Sequence, residues 1–332
     1  MGRFRKLFRR EPTRQELYLQ LARGLNIERG YQSWIETWED YGPTRDSTEA
    51  MPLSILLVGT PSDADRVHWD GQARSGAAPV YLPRLGAHLK EAAVGGGYFL
   101  IARASDRLAA SALHRLSAAV HAVPDAPIIF GDEDQIDRNG RRFAPWFKPD
   151  FGEDLFLCQN GFGRAVFFRK SVLERLTAPD SDDPDDAVYD LALQAIAGTG
   201  KEPLHCPGIL LHVAGDPAAT PKARSLHLPG GRRRAAVEAF IARRPSLSGT
   251  VVEGPHAGGF LRLRHPLPDP APLVSIVIPT RDRKDLLEAC INSLDRATSY
   301  RNKEIIVLNN DSTDAETKAY FWTLSQRADV RI

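Results

Sequence analysis

L-V-S-I-V-I-P-T-R-D-R-K-D-L-L-E-A-C-I-N-S-L runs from Leu273 to Leu294, and K-E-I-I-V-L-N-N-D-S-T-D follows at 303–314. A short apolar run, a polar turn, an amphipathic stretch, a second apolar run and a second polar turn read as strand, helix and strand. In an open parallel sheet, ligands bind off the carboxyl ends of the strands. That rule picks out Pro279, Thr280, Arg281 and Asp282 after the first strand, and Asn309, Asn310 and Asp311 after the second. The same turns suit helix caps. Asp282 before one helix, and Ser312 or Asp314 before the next, would satisfy free backbone N–H groups.

Upstream, H-P-L-P-D-P-A-P at 265–272 reads as a stiff linker. Before it, short apolar runs alternate with helical spacing. L-S-I-L-L-V-G at 53–59, V-Y-L at 80–82, Y-F-L-I-A at 98–102, P-I-I-F at 127–130 and A-V-F-F at 165–168 read as strands. Residues 107–122, 170–176, 187–197 and 232–244 read as helices, as do residues 13–38 near the start; 259–265 alternates like an edge strand. The expected class is α/β, a mostly parallel sheet with helices on both faces. Four segments follow: a basic tail and helical segment at 1–52, a first α/β domain at 53–213, a helical segment and linker at 214–272, and the start of a second domain at 273–332.

The net charge of +1 gives no bulk attraction to nucleic acid. Cys158, Cys206 and Cys290 are odd in number and lack metal spacing, which fits a reducing compartment. No apolar run reaches the length of a membrane span. M-G-R-F-R-K-L-F-R-R at the start has no apolar core and is not a secretory signal. It reads as a solvated basic tail or a peripheral contact with anionic lipid on the cytoplasmic membrane face. P-D-S-D-D-P-D-D at 179–186 reads as a solvated acidic loop. Neither V-G-T-P-S-D nor I-P-T-R-D-R supplies the G-x-G-x-x-G turn of a dinucleotide-binding oxidoreductase.

The pair I-P-T-R-D-R and N-N-D-S-T-D resembles the opening of a family-2 glycosyltransferase, the nucleotide-binding half of a GT-A fold. G-D-E-D-Q-I-D at 131–137, F-K-P-D at 147–150 and Q-N at 159–160 come in the order and spacing of tandem-domain family-2 enzymes of bacterial surface-polysaccharide synthesis. The resemblance implies a nucleotide-sugar donor, a glycan acceptor, a divalent cation (Mg2+ or Mn2+) for the complete second domain, and inversion at the sugar. It implies that Pro279, Thr280, Arg281, Asp282, Asn309, Asn310 and Asp311 line the nucleoside. Asn309 stands where the family most often has Asp, which leaves the base or sugar preference open. Asp132, Glu133, Asp134 and Asp190 fall on the acceptor side.

The first domain departs from that pattern where the chemistry lies. The metal-binding Asp-x-Asp stretch reads R-A-S-D, so Arg103 and Ser105 stand at the ligand positions and only Asp106 follows them. His212 matches a histidine that joins the metal in the family; with Asp106 it is the remnant of that site. Val188 stands where the general base is expected, and Val cannot accept a proton. The expectation is therefore a cytoplasmic glycosyltransferase of polysaccharide or lipopolysaccharide synthesis, with a degenerate first domain and an incomplete second one. The chain alone is expected to have little or no activity. The alternative is a non-catalytic module that binds glycan or scaffolds a partner.

Overall fold

The structure is a computed structural model and describes residues 27–39, 52–73, 77–85, 89, 97–179, 181, 183–217, 230–244, 246–254 and 260–332. The basic N-terminus, the start of the helix expected from residue 13, most of the 40–52 linker and much of 214–232 lie outside them. The chain divides into two compact units, Met1–His265 and Pro266–Ile332.

The first unit is built on a sheet of β1 (Leu53–Val58), β2 (Ala77–Leu82), β3 (Tyr98–Arg103), β4 (Arg107–Leu108), β5 (Ile128–Ile136), β6 (Arg142–Trp146), β7 (Val166–Arg169) and β8 (Leu204–Ala214). Their order is β2-β1-β3-β7-β5-β8-β4, with β6 paired to β5. β2, β1 and β3 are parallel, as are β5 and β8, and β7 runs antiparallel between the two groups. Every side chain of β1 is buried, the signature of a central strand covered on both faces.

Alternate residues go to opposite faces. Leu56, Val58, Phe99, Ile101, Ile128 and Phe130 point to one core, shared with α4 (Glu153–Cys158), α5 (Lys170–Leu173), α6 (Pro184–Thr199) and α7 (Gly230–Ala242). Ile55, Leu57, Leu100, Ala102, Ile129 and Phe167 point to the other core, shared with α2 (Asp63–Ala73) and α3 (Ala112–Ala122). The expected α/β class, with helices on both faces, is borne out; the sheet itself is mixed, with three parallel and four antiparallel pairings. A hairpin of β9 (Thr250–Glu253) and β10 (Leu261–Arg264) closes the first core, with Val251 and Leu261 buried in it.

Two local expectations change. Residues 107–108 do not begin a helix; they pair with Leu211 and His212 of β8, and α3 starts at Ala112. The cause is Asp106, whose carboxylate accepts the N–H of Arg103 and closes a turn. The strand expected at 127–130 runs on to Ile136 and takes Asp132, Glu133 and Asp134 inside the sheet. Helix α1 (Ile27–Trp38) lays Trp34 against the second core and contacts β6.

The second unit is a parallel three-stranded sheet, β11 (Val274–Thr280), β12 (Lys303–Asn309) and β13 (Val330–Arg331). Helices α8 (Lys284–Ala297) and α9 (Ala315–Ser325) bury Leu287, Ile291, Phe321 and Leu324 on Ile305, Val307 and Val330. Val277 and Leu308, of opposite parity in the strands, are each 52% exposed.

Candidate functional site

At the carboxyl ends of β11 and β12, Thr280 and Asn309 are register partners, so their two turns lie side by side. Asp282 and Asp311 adopt φ of 48° and 52°, which aspartate tolerates better than most residues. The carboxylate of Asp282 accepts from the backbone N–H groups of Thr313 (2.6 Å) and Asp314 (2.8 Å) and from the Thr313 hydroxyl. Those backbone donors, Asp314 first, hold its pKa below the usual carboxylate value. The Asn309 side chain accepts from the N–H of Ser312 at 2.9 Å, and Asn310 donates its N–H to the carbonyl of Thr280.

The cap expectation is half corrected. The N-cap of α8 is Arg283, whose side chain makes no capping bond, because Asp282 reaches across to the other turn instead. Asp314 caps α9 by accepting from the N–H of Thr317. The arrangement is a pair of joined turns with Arg281, Asn310 and Asp311 exposed on it and Pro279 preceding them.

The corresponding crevice of the first unit, at the carboxyl ends of β1 and β3, holds a relay of ion pairs. Asp106 is fully buried and accepts from Arg164 through both oxygens (3.0 and 2.8 Å), from the N–H of Arg103 and from the N–H of Ala214. Arg164 also meets Asp185 at 2.8 Å. Arg103 meets Asp185 at 2.9 Å and Asp183 at 2.8 Å. Burial raises the pKa of Asp185 in spite of these cations. Burial also opposes ionisation of Asp183, but the N–H of Asp185 and the Arg103 guanidinium outweigh it and hold that carboxyl low. Nearby, Arg107 bonds Asp65 at 2.6 Å, and Ser62 and Asp65 cap α2 reciprocally.

A divalent cation does not fit here. Arg103, which the family resemblance sets at a ligand position, is a cation paired with Asp183 and Asp185, and Asp106 is consumed by Arg164 and backbone donors. His212 is turned to Asp134, with Nδ1 2.5 Å from Oδ1. Among the described residues, no group of three or more His, Cys, Asp or Glu could hold a metal ion. Val188 is fully buried in the apolar core, and Asp190, on the same helix, bonds Gln194 at 3.0 Å.

Asp132, Glu133 and Asp134, the carboxylates expected on the acceptor side, are buried. Asp132 accepts from the N–H groups of Lys148 and Gly208 and meets His205. Glu133 accepts from Lys148 Nζ and from the N–H groups of Arg164 and Ala165. Lys148 is itself buried, donating also to the carbonyls of Gly131 and Phe162; burial lowers its pKa although Glu133 and Asp132 oppose the shift. Asp134 accepts from the Tyr31 hydroxyl at 2.5 Å and from Arg142 at 2.6 Å, and Arg142 also grips Glu39 through two bonds. Burial, then Asp134, pushes the Tyr31 phenol pKa up, so α1 is fastened to β5 by a neutral donor.

Residues 275–321 match the family described as Glycosyl transferase family 2. Over 230 residues, 68% of this chain, the sequence is 33% identical to Uncharacterized protein y4gI of Sinorhizobium fredii, covering 25% of it. Over 242 residues it is 28% identical to O-antigen biosynthesis protein RfbC of Myxococcus xanthus, covering 73% of this chain and 18% of that protein. The chain thus spans a quarter or less of the curated relatives it matches. A solved structure, S. aureus TarS, aligns with a TM-score of 0.36 at 11% identity, over 60% of this chain and 44% of that one.

Proposed function

Because residues 275–321 are family-2 glycosyltransferase sequence, as the two turn motifs implied, we propose that this protein transfers a glycosyl unit from a nucleotide sugar to a glycan acceptor. The similarity to O-antigen biosynthesis protein RfbC supports a surface polysaccharide as the product class. In such a transfer the acceptor hydroxyl attacks the anomeric carbon, a base takes its proton, and the nucleoside diphosphate leaves. Pro279, Thr280, Arg281, Asp282, Asn309, Asn310 and Asp311 are assigned to the nucleoside and its phosphates. A divalent cation is assigned to the leaving group of the second domain, and the cytoplasmic side of the membrane to the whole reaction.

The observation that carries this reading is the joining of the two turns through Asp282 and Asn309. It holds the two turns, with Arg281, Asn310 and Asp311 exposed on them, off the strand ends, where ligands bind in open parallel sheets. A second reading applies to the first unit, and its support is the ion-pair relay. Three arginines (Arg103, Arg107 and Arg164) already spend their charge on Asp65, Asp106, Asp183 and Asp185. With valine in place of the base, that unit acts as a non-catalytic module.

Chemical-shift mapping of the labelled full chain with UDP, GDP and dTDP tests both readings. The expected shifts fall in 279–282 and 309–314, and none fall in 103–107 or 183–190. Shifts confined to the first unit would reverse the assignment. No shift with any nucleotide would remove it.

A further inference from the structure

We propose that the first unit carries a saccharide site of its own, away from the crevice, that takes an anionic sugar unit. The site is a groove of about 390 Å³ between the turn after α5, the last turns of α6 and the residue that follows α7. That volume is in the range of small-molecule sites. It lies at the opposite end of α6 from Asp183 and Asp185, about 15 Å along the helix from Pro184 to Gln194 at the usual rise per residue.

The lining has three kinds of group. Val172 and Leu176, 7% and 6% exposed, form a narrow apolar floor. Two guanidinium groups, Arg175 and Arg243, stand at the groove, and no acidic residue lines it. Neither makes an ion pair or a side-chain hydrogen bond among the described residues. Asp190 is close enough for Arg243 to act on its charge, but its carboxylate is bonded to Gln194. The third kind is polar and fixed. Gln194 accepts the N–H of Thr177 and donates to its carbonyl, which holds the Thr177 turn on α6. Thr199 donates its hydroxyl to the carbonyl of Ala195.

This combination selects the ligand. The groove is also lined by Ala197, Gly198 and Thr199, the carbonyl end of α6, where backbone acceptors are left over. A bare anion would gain from the arginines and be opposed by those carbonyls. A pyranose bearing a carboxylate or phosphate satisfies both sets. Its anion accepts from the guanidinium groups, its ring hydroxyls donate to the helix end, and its C–H face lies on the floor. The proposal does not rest on the nucleotide assignment above, since none of these residues belongs to the second unit.

The test is titration of the labelled full chain with methyl glucuronide, glucose 6-phosphate, methyl glucoside and inorganic phosphate. Either anionic sugar is expected to bind at least tenfold more tightly than methyl glucoside or inorganic phosphate, with shifts at 175–177 and 194–199. The two anionic sugars separate carboxylate from phosphate as the natural anion. Arg175→Gln and Arg243→Gln are each expected to weaken binding about tenfold, the scale of one charge-assisted bond. Both side chains are exposed, so the variants fold. Equal binding of methyl glucoside, equal binding of inorganic phosphate, or no effect of either substitution would overturn the proposal.

Discussion

Asp106 carries a structural task in the crevice of the first unit. It is buried and accepts four hydrogen bonds from three donors, and Arg164, buried beside it, depends on its charge. Removing one partner of a buried pair strands the other. Asp106→Ala is therefore expected to destabilise the first unit by about 3 kcal/mol in urea unfolding, and Asp106→Ala with Arg164→Met to regain much of that loss. A loss within error for the single variant would show that the relay is not rigid. That Arg103 ends β3 was legible in sequence, because the apolar pattern of Y-F-L-I-A is plain. The role of Arg164 was not. It meets Asp106 from 58 residues away, and no local spacing reports such a pairing.

Among the elements, β1, β3 and α6 could be read from apolar runs and helical spacing. The carboxylate-rich half of β5 could not, because three consecutive acids look solvated until their donors are known. Each is compensated by a different neighbour: Lys148 for Glu133, α1 and β6 for Asp134, and β8 for Asp132. His205 belongs to this last contact. Its Nε2 lies 3.2 Å from Asp132 on β5 and its Nδ1 2.9 Å from Asp150, before α4, while its ring stacks on Phe130. Burial opposes the imidazolium, but bonds to the two carboxylates win and raise its pKa above the ordinary 6.5. For a base whose folded pKa is raised, the protonated folded form is favoured. The added stability is full below pH 6.5 and is lost as pH rises through the folded value. The urea midpoint is expected to fall as pH rises above 6.5. His205→Gln should lack that fall. A wild-type midpoint that is flat or rising across this window would contradict the clamp.

Across the molecule, the two units differ in how much each can bury. The first places a sheet between two apolar layers, and its central strands have no exposed side chain. The second, residues 266–332, has one small core on one side of three strands, with Val277 and Leu308 half exposed. The difference was not legible in the strands themselves, since L-S-I-L-L-V and V-S-I-V-I-P-T each carry one serine near the start of an apolar run. An apolar residue in a strand is ordinarily expected to be covered, and Val277 and Leu308 are not. Small units bury a smaller share of their surface and are less stable for it. Amide protection tracks the free energy of local opening. Hydrogen exchange of the full chain is therefore expected to release the amides of β12 at least tenfold faster than those of β1 and β3. A tenfold difference corresponds to about 1.4 kcal/mol of opening free energy. Equal protection in the two units would mean that the second opens only with the first, and the separation of their cores would then have no energetic consequence.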